Sequence, residues 1–452
     1  MMKQKVLTTI ALMLCLLLSC GAPAFAEPNT GWILEDTNMS GTVNFWIPFK
    51  GAQGMDALIA EFNTVYPNIQ VNLNSYSNGS DGNVGVNTAI VSGEVDVLAS
   101  FGLANTYKRW ENGLYMDITD KVREEGIDLT EQWGTDAYTY DGRIYTFPCG
   151  GMSYYICINM DSWNKAGLGE LPSEWTWDEY MAASAAMTEY NEDGSVKMFG
   201  GSDNQTYSWF LYCNSQLTGM GSYYTGEGKS SYTTERSRIA LTRKLKAELD
   251  DKIWFPGITY RTDNYGSQEA FCNGMVASCF TSNITRFLHN TQSFPNVNWI
   301  TGFAPWPVEA KGETNYMSGV STFSHAGIAS NCQDEDAAWA FLKWYATYGV
   351  KYLVAAGHQP KWTGTKAGSA FEIIYGSEEE AAKWVDIASF KAVIGRTDLP
   401  AFVETNLTAY SEVTDALRDG GIMQALSGEL SAEDCLTAAG EIADKAIEKA
   451  TR

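Results

Sequence analysis

From Val43 to Asn112 the chain alternates between two periods, and that alternation is the strongest constraint on its fold. VNFWIP (Val43 to Pro48) reads as a strand. Met55, Leu58, Ile59, Phe62 and Tyr66 then recur at helical spacing until Pro67 stops the run. Ile69, Val71 and Leu73 alternate as a second strand. A helix over Asn83 to Val91, a buried strand over Asp96 to Ser100 and a helix over Ala104 to Asn112 complete the series. Strands separated by single helices predict a parallel sheet covered by helices.

The second half repeats the rhythm. Ser153 to Asn159 reads as a strand, and Thr176-Trp177-Asp178-Glu179 as a capping box opening a helix through Met187. Glu235 to Leu249 is a helix. Met275 to Phe280, Asn298 to Phe303 and Ala326 to Ser330 are strands, and a helix follows from Glu335 to about Tyr348. Ser431 caps a last helix that runs nearly to Arg452. A chain of 452 residues exceeds the size at which one core usually splits. With no flexible linker in sight, two α/β lobes joined by short strand-like crossings are expected. Pro148 cannot donate to a ladder and Gly150-Gly151 are permissive, so Phe147–Gly151 is read as the first crossing.

The N-terminus reads as a targeting segment. Lys3 and Lys5 precede a run free of charge from Ile10 to Leu18, too short to span a bilayer. Ala24-Phe25-Ala26 fits cleavage for ordinary secretion, giving a signal peptide over residues 1–26. Leu17-Leu18-Ser19-Cys20 instead resembles a lipoprotein box, which would end the leader at residue 19 and lipidate Cys20. On either reading the mature chain works outside the cytoplasm, lipid-anchored at the cell surface or secreted.

The net charge of −23 argues against nucleic-acid binding through the overall field. The seven cysteines after Ala26 are Cys149, Cys157, Cys213, Cys272, Cys279, Cys332 and Cys435. They include no C-x-x-C pair, so a zinc site is not expected, and most are read as buried free thiols. His289, His325 and His358 lack the spacing of a zinc protease, and no phosphate-binding glycine loop is present. No cofactor, no metal and no catalytic residue is assigned, and the chain is read as a non-enzyme.

Several stretches together resemble a known family. EFNTVYPNIQV (Glu61 to Val71), YDGRIYTFP (Tyr140 to Pro148), YYICINMDSWNKAGL (Tyr154 to Leu168) and EWTWDEY (Glu174 to Tyr180) come first. AFCNGMVAS (Ala270 to Ser278), DAAWAFLKW (Asp336 to Trp344) and LSGELSAEDCL (Leu426 to Leu436) follow. Their order is similar to that of bacterial extracellular solute-binding proteins of family 1, which resemble the maltose-binding protein. The resemblance covers almost the whole mature chain. It implies the periplasmic-binding-protein fold of type II: two doubly wound α/β lobes joined by hinge crossings, with the ligand in the cleft. It also implies a monomer that captures a sugar or oligosaccharide and delivers it to the membrane permease of an ABC transporter. A non-sugar solute is the alternative, and a secreted glycoside hydrolase a more distant one. Membrane contact would come only through the lipid anchor or the permease.

By this analogy the second and third crossings fall near Ala304–Pro307 and Gly357–Trp362. Lobe 1 would then hold residues 41–147 and 307–357, and lobe 2 residues 148–306 and 358–452. Clefts in such folds are lined by loops at the C-terminal ends of strands, and sugars need flat rings and aimed polar groups. That rule selects Trp46, Phe49 and Lys50 at the first strand's end, and Phe101 after DVLAS. It adds Tyr207 and Trp209 in DNQTYSWF, Asn283 and Arg286 beyond Phe280, Tyr316, and Trp362 beside the third crossing. The cleft glutamate of the maltose-binding pattern is absent beside the first crossing, where Met152 or Ser153 stands. That puts maltose itself in doubt.

Overall fold

The computed structural model describes residues 31–48, 54–134, 139–203, 207–225, 227–263, 265–365, 370–396, 398–404 and 406–452. Both leader readings, with Cys20 and Ala26, lie outside the described residues, as do Phe49 and Lys50.

The first lobe is built on a six-stranded sheet. Strands β1 (Gly41–Pro48), β2 (Ile69–Tyr76) and β3 (Val97–Phe101) are linked by helices α1 (Met55–Val65) and α2 (Ser80–Val91). β1 pairs in parallel with both β2 and β3, as the alternating rhythm requires. Helix α3 (Leu103–Glu111) follows β3. One face of β1, through Val43, Phe45 and Ile47, packs on α1 and a later helix, α6 (Glu335–Ala346). The Phe45 ring lies 4.9 Å from Phe341, and Phe62 lies 5.0 Å from the same ring at right angles. Edge-on aromatic packing of this kind adds about 0.5–1.5 kcal/mol per pair beyond buried area.

The other strands of this sheet arrive after the chain has left it. β4 (Phe147–Met152) and β8 (Ser321–Ile328) pair antiparallel, and β9 (Gln359–Pro360) closes the edge against Gly150 and Gly151. The order is β9-β4-β8-β3-β1-β2.

The expected first crossing is therefore corrected: Phe147–Gly151 is a strand inside the first sheet. Pro148 is tolerated because the β4–β8 register is irregular around Ser324 and His325. Gly150 and Gly151 serve close approach, since a Cβ on Gly151 would come within 2.9 Å of the Lys361 chain and the Ser321 carbonyl. The chain leaves at Ser153–Tyr154 and enters β5 (Tyr155–Asn159).

β5 is the centre of a three-stranded sheet, antiparallel to both β6 (Ser278–Thr281) and β7 (Thr301–Pro305). Its side chains alternate between two cores. Tyr155 and Cys157 join one with Phe271 and Phe303, while Ile156 and Ile158 join another with Trp177, Tyr180 and Trp306. Helix α4 (Trp177–Met187) opens with the expected reciprocal capping box of Thr176 and Glu179. Helix α5 (Glu235–Leu245) continues into a π-turn over Lys246–Asp250. Helices α7 (Ile387–Val393), α8 (Tyr410–Asp419) and α9 (Ala432–Thr451) complete the second lobe.

The second passage is longer than expected: β7 ends at Pro305 and β8 begins at Ser321. It runs beside the first, with the Tyr154 amide donating to the Met317 carbonyl at 2.9 Å. The third also differs, because Gln359 and Pro360 still belong to the first sheet.

Candidate functional site

Two groups of contacts join the lobes. The first lies at the crossings. Gly357, held at a φ of 84°, abuts Asn283, and a Cβ there would come 2.9 Å from the Asn283 Cβ. Only glycine takes that backbone angle beside so close a neighbour without strain. The Ser282 hydroxyl lies 3.1 Å from the Met152 sulfur. Next to Gly357, the His358 ring packs 5.0 Å from Phe101 and 5.6 Å from Phe323. Burial, helped by the nearby Arg286 charge, pulls the His358 imidazole down to about 3, so it is neutral at ordinary pH.

The second group is a seam of tyrosines. Tyr107 on α3 of the first lobe meets Tyr410 at the start of α8 with ring centroids 5.9 Å apart. Tyr140 stacks edge-on against Tyr107 at 5.4 Å, and Tyr223 against Tyr410 at 6.0 Å. Lys108 and Asp415 approach to 3.9 Å across the same seam. Ala409, just before α8, holds a φ of 51°, a left-handed conformation that costs a non-glycine residue about 1–2 kcal/mol.

Behind the seam lies a buried carboxyl group. Glu404 accepts from the Ser222 amide at 3.4 Å, and burial pushes it up to about 8. The segment carrying it passes over two glycines: Val403 donates to the Gly219 carbonyl, and Gly221 leaves the space that Glu404 fills. Phe402 packs on Tyr154 and Tyr212 alongside it.

A buried triad joins Asp203 to helix α5 and the π-turn that continues it. The Lys244 ammonium lies 2.9 Å from Asp203 and 2.5 Å from Glu248, and Glu248 also accepts from the Gly257 amide at 2.8 Å. Desolvation raises the Glu248 carboxyl, while its two carboxylate neighbours hold the Lys244 ammonium protonated. Glu248 stands four residues beyond Lys244, inside the π-turn. Such turns concentrate at functional positions.

The residues selected from sequence fall in different places. Asn283 and Arg286 lie at the crossings; Arg286 covers Phe287 at 4.5 Å, and its Nε has no hydrogen-bond partner among the described residues. Tyr207 is half-buried under the Arg261 guanidinium at 5.1 Å. Tyr316 is half-buried, with Gly219 against its ring. Trp46 is half-buried and lines a cavity of about 350 Å³ with Tyr76 and the small residues of α2.

Three selections are corrected as cleft walls. Trp362 is 5% exposed, joins the first lobe's core, donates to Gln132 at 3.2 Å and packs edge-on against Tyr348. Phe101 is 4% exposed in that same core. Trp209 is 9% exposed among Tyr154, Tyr212 and Trp306. Strand ends aim their loops at the cleft, but these rings turn back into the lobes. Sequence reasoning missed Tyr107, Tyr223, Glu404 and Tyr410. The doublet Tyr223-Tyr224 and the lone carboxylate in AFVETN were the available signals.

A larger cavity of about 760 Å³ lies on the second lobe, between the Gly169–Glu174 loop, β7 and α7. It is mainly apolar, lies away from the tyrosine seam, and its acids serve as caps and ion pairs, as Asp386 and Glu313 do. Among the described residues there is no cluster of His, Cys, Asp and Glu fit to hold a metal ion. No described helix is long and apolar enough to cross a membrane.

The model of the bacterial extracellular solute-binding protein family matches residues 49–352. The chain belongs to this family. A solute-binding protein of this family is extracytoplasmic. A binding protein of Brucella abortus (strain 2308) is 24% identical over 210 residues, 45% of this chain and 46% of that one. The chain thus spans about half the length of the curated relatives it matches. Solved structures share the whole two-lobed fold. An ABC substrate-binding protein from Listeria monocytogenes in complex with cycloalternan superposes with a TM-score of 0.70 at 16% identity, over 91% of this chain and 99% of that one. A sugar transporter from Rhizobium etli, in an open conformation, gives 0.68 at 17% identity, over 90% and 99%. The cyclic α-maltosyl-1,6-maltose binding protein from Arthrobacter globiformis gives 0.65 at 18% identity, over 91% and 100%.

Proposed function

We propose that this solute-binding protein captures a sugar or oligosaccharide between its lobes and delivers it to the permease of an ABC importer, without turning it over. The observation that carries the reading is the tyrosine seam, in which Tyr107 of one lobe meets Tyr410 and Tyr223 of the other. Flat rings cover the C–H faces of a sugar, and a few polar groups satisfy its hydroxyls. Glu404, kept protonated by burial, can both donate and accept there. The sugar ligands named for the Listeria and Arthrobacter relatives support the same reading.

The ligand site extends, on this reading, to Tyr207, Asn283, Arg286 and Tyr316, with Trp46, Phe49 and Lys50 on the first lobe's side. The lobes divide at Ser153–Tyr154, between Pro305 and Ser321, and after Trp362. The chain acts as a monomer, secreted after Ala26 or anchored through a lipid on Cys20. A second reading, a non-sugar solute bearing an acid group, draws on Arg286, which pairs with no carboxylate among the described residues.

A thermal-shift screen against neutral sugars, acidic sugars and other organic acids tests both. A ligand at 100 times its dissociation constant adds about 2.7 kcal/mol of stability. A shift with neutral oligosaccharides supports the first reading. A shift confined to acids favours the second. A bound sugar that is steadily consumed by repurified protein would overturn both.

A further inference from the structure

The geometry points to a disulfide bond between Cys157 and Cys279 in the exported protein. The two residues stand directly opposite each other in the antiparallel β5–β6 pair. Opposed residues in such a pair have Cα atoms about 4.5 or 5.5 Å apart, depending on which kind of ladder site they occupy. Both spacings fall inside the range of about 4.4–6.8 Å that a disulfide spans. The side chains already point at each other, with sulfur atoms 3.2 Å apart. At that separation the two free thiols are in contact, and closing to the bonded distance of about 2.05 Å asks for a small shift of the side chains. The family is extracytoplasmic, and disulfides persist in that compartment when it is oxidising.

The chemistry balances by thiol–disulfide exchange with a protein that carries an oxidised Cys pair. One thiolate of the Cys157–Cys279 pair attacks the carrier's disulfide and expels a carrier thiolate, giving a mixed disulfide. The second thiolate then attacks the mixed disulfide and expels the other carrier sulfur. One S–S bond forms here and one breaks on the carrier. The carrier takes up two electrons and, with the two protons that the original thiols gave up, leaves as a dithiol. The order of events follows from burial. Cys157 and Cys279 are fully covered in the finished lobe, and burial suppresses the Cys157 thiolate. The bond is therefore made while the β5–β6 pair is open to solvent, and afterwards it resists reduction.

The bond has a specific mechanical consequence. β5 is the strand the chain enters on leaving the first lobe, and β6 leads directly to Asn283 and Arg286 at the crossings. Tying them stiffens the platform on which the second lobe moves. Both ends lie in one sheet, so the lobes stay free to open.

The test is peptide mapping of protein exported under aerobic conditions, denatured, alkylated without reductant and digested. The expected result is a Cys157 peptide joined to a Cys279 peptide, two hydrogens lighter than the separate pair. Reduction should abolish it, and Cys149, Cys213, Cys332 and Cys435 should be alkylated throughout. In Cys157→Ser, Cys279 should become alkylated without reductant. Alkylation of both Cys157 and Cys279 in the unaltered protein overturns the proposal. So does linkage of either one to Cys272, the remaining neighbour on that side of the sheet. The unaltered protein alone decides the matter, so a variant that fails to fold does not blunt the test.

Discussion

Gly221 has no side chain at the one place where the Glu404 carboxylate comes to rest; a Cβ there would overlap the carboxylate outright. The two residues are far apart in the chain, yet each fixes what the other can be. Gly221→Ala forces the carboxyl group or the Gly219–Gly221 segment to move. A loss of about 1–3 kcal/mol is expected, the usual cost of overpacking a filled interior. Urea denaturation of the variant measures it. Glu404→Ala should relieve most of that loss when combined with Gly221→Ala, because the colliding group is gone.

Glu404 also sets a pH dependence. Its carboxyl stands at about 8 in the folded protein, against a usual value near 4.5. The folded state therefore holds the proton more tightly than the unfolded chain. Its contribution is fully present below about pH 4.5, declines as pH rises toward 8, and is flat above that. The fall is on the order of 4–5 kcal/mol at 1.36 kcal/mol per pKa unit. His358 works in the opposite sense: it is held neutral, and its contribution grows as pH rises from about 3 to 6.5. Comparing Glu404→Gln with the unaltered protein cancels His358. The difference between their stability curves should slope between pH 5 and 8. Parallel curves would remove the buried-proton account of Glu404.

Trp362→Ala should behave as a core deletion. A buried Trp cut to Ala costs about 3–5 kcal/mol, and the lost bond to Gln132 adds to it. The unliganded melting curve should drop, while the affinity of any folded fraction for its ligand stays close to normal. Calorimetry showing a tenfold weaker affinity with an unchanged melting curve would return Trp362 to the cleft.

Lys244→Met leaves Asp203 and Glu248 facing each other in the interior without their cation. The expected loss is about 3–5 kcal/mol, as when one partner of a buried ion pair is removed. Adding Asp203→Asn and Glu248→Gln should recover much of it. Because Asp203 lies four residues before Tyr207 in the sequence, the single variant should also bind the ligand more weakly, by calorimetry, than its residual folded population explains.

The elements were legible in the sequence wherever period and punctuation agreed. Pro67 after Tyr66 and the Thr176–Glu179 box each mark an element boundary that the structure keeps. What the sequence obscured was membership. Phe147–Met152 carries the composition of a turn, and its partners, Ser321–Ala326 and Gln359–Pro360, lie far along the chain. The strand-end rule located Phe101 and Trp362 correctly along the chain but says nothing of which way a ring turns. Tyr107 was read as a helix residue because its partner, Tyr410, comes three hundred residues later. Contacts of that range leave no periodic trace.

The strand order of the first lobe also dictates a timetable. β8 lies between β3 and β4 in the middle of the sheet, yet it is among the last parts of that sheet to be synthesised. A chain emerging N-terminus first has β1, β2 and β3 ready early, with the β3 edge bare until residue 328 has arrived. Pairings over such distances form slowly, because the loop between them must close first. An exposed strand edge during that wait invites pairing with another chain. The first lobe is thus the first to be started yet stays incomplete until residue 360 has arrived, and a secretion route that holds the chain unfolded until it is nearly complete suits this topology.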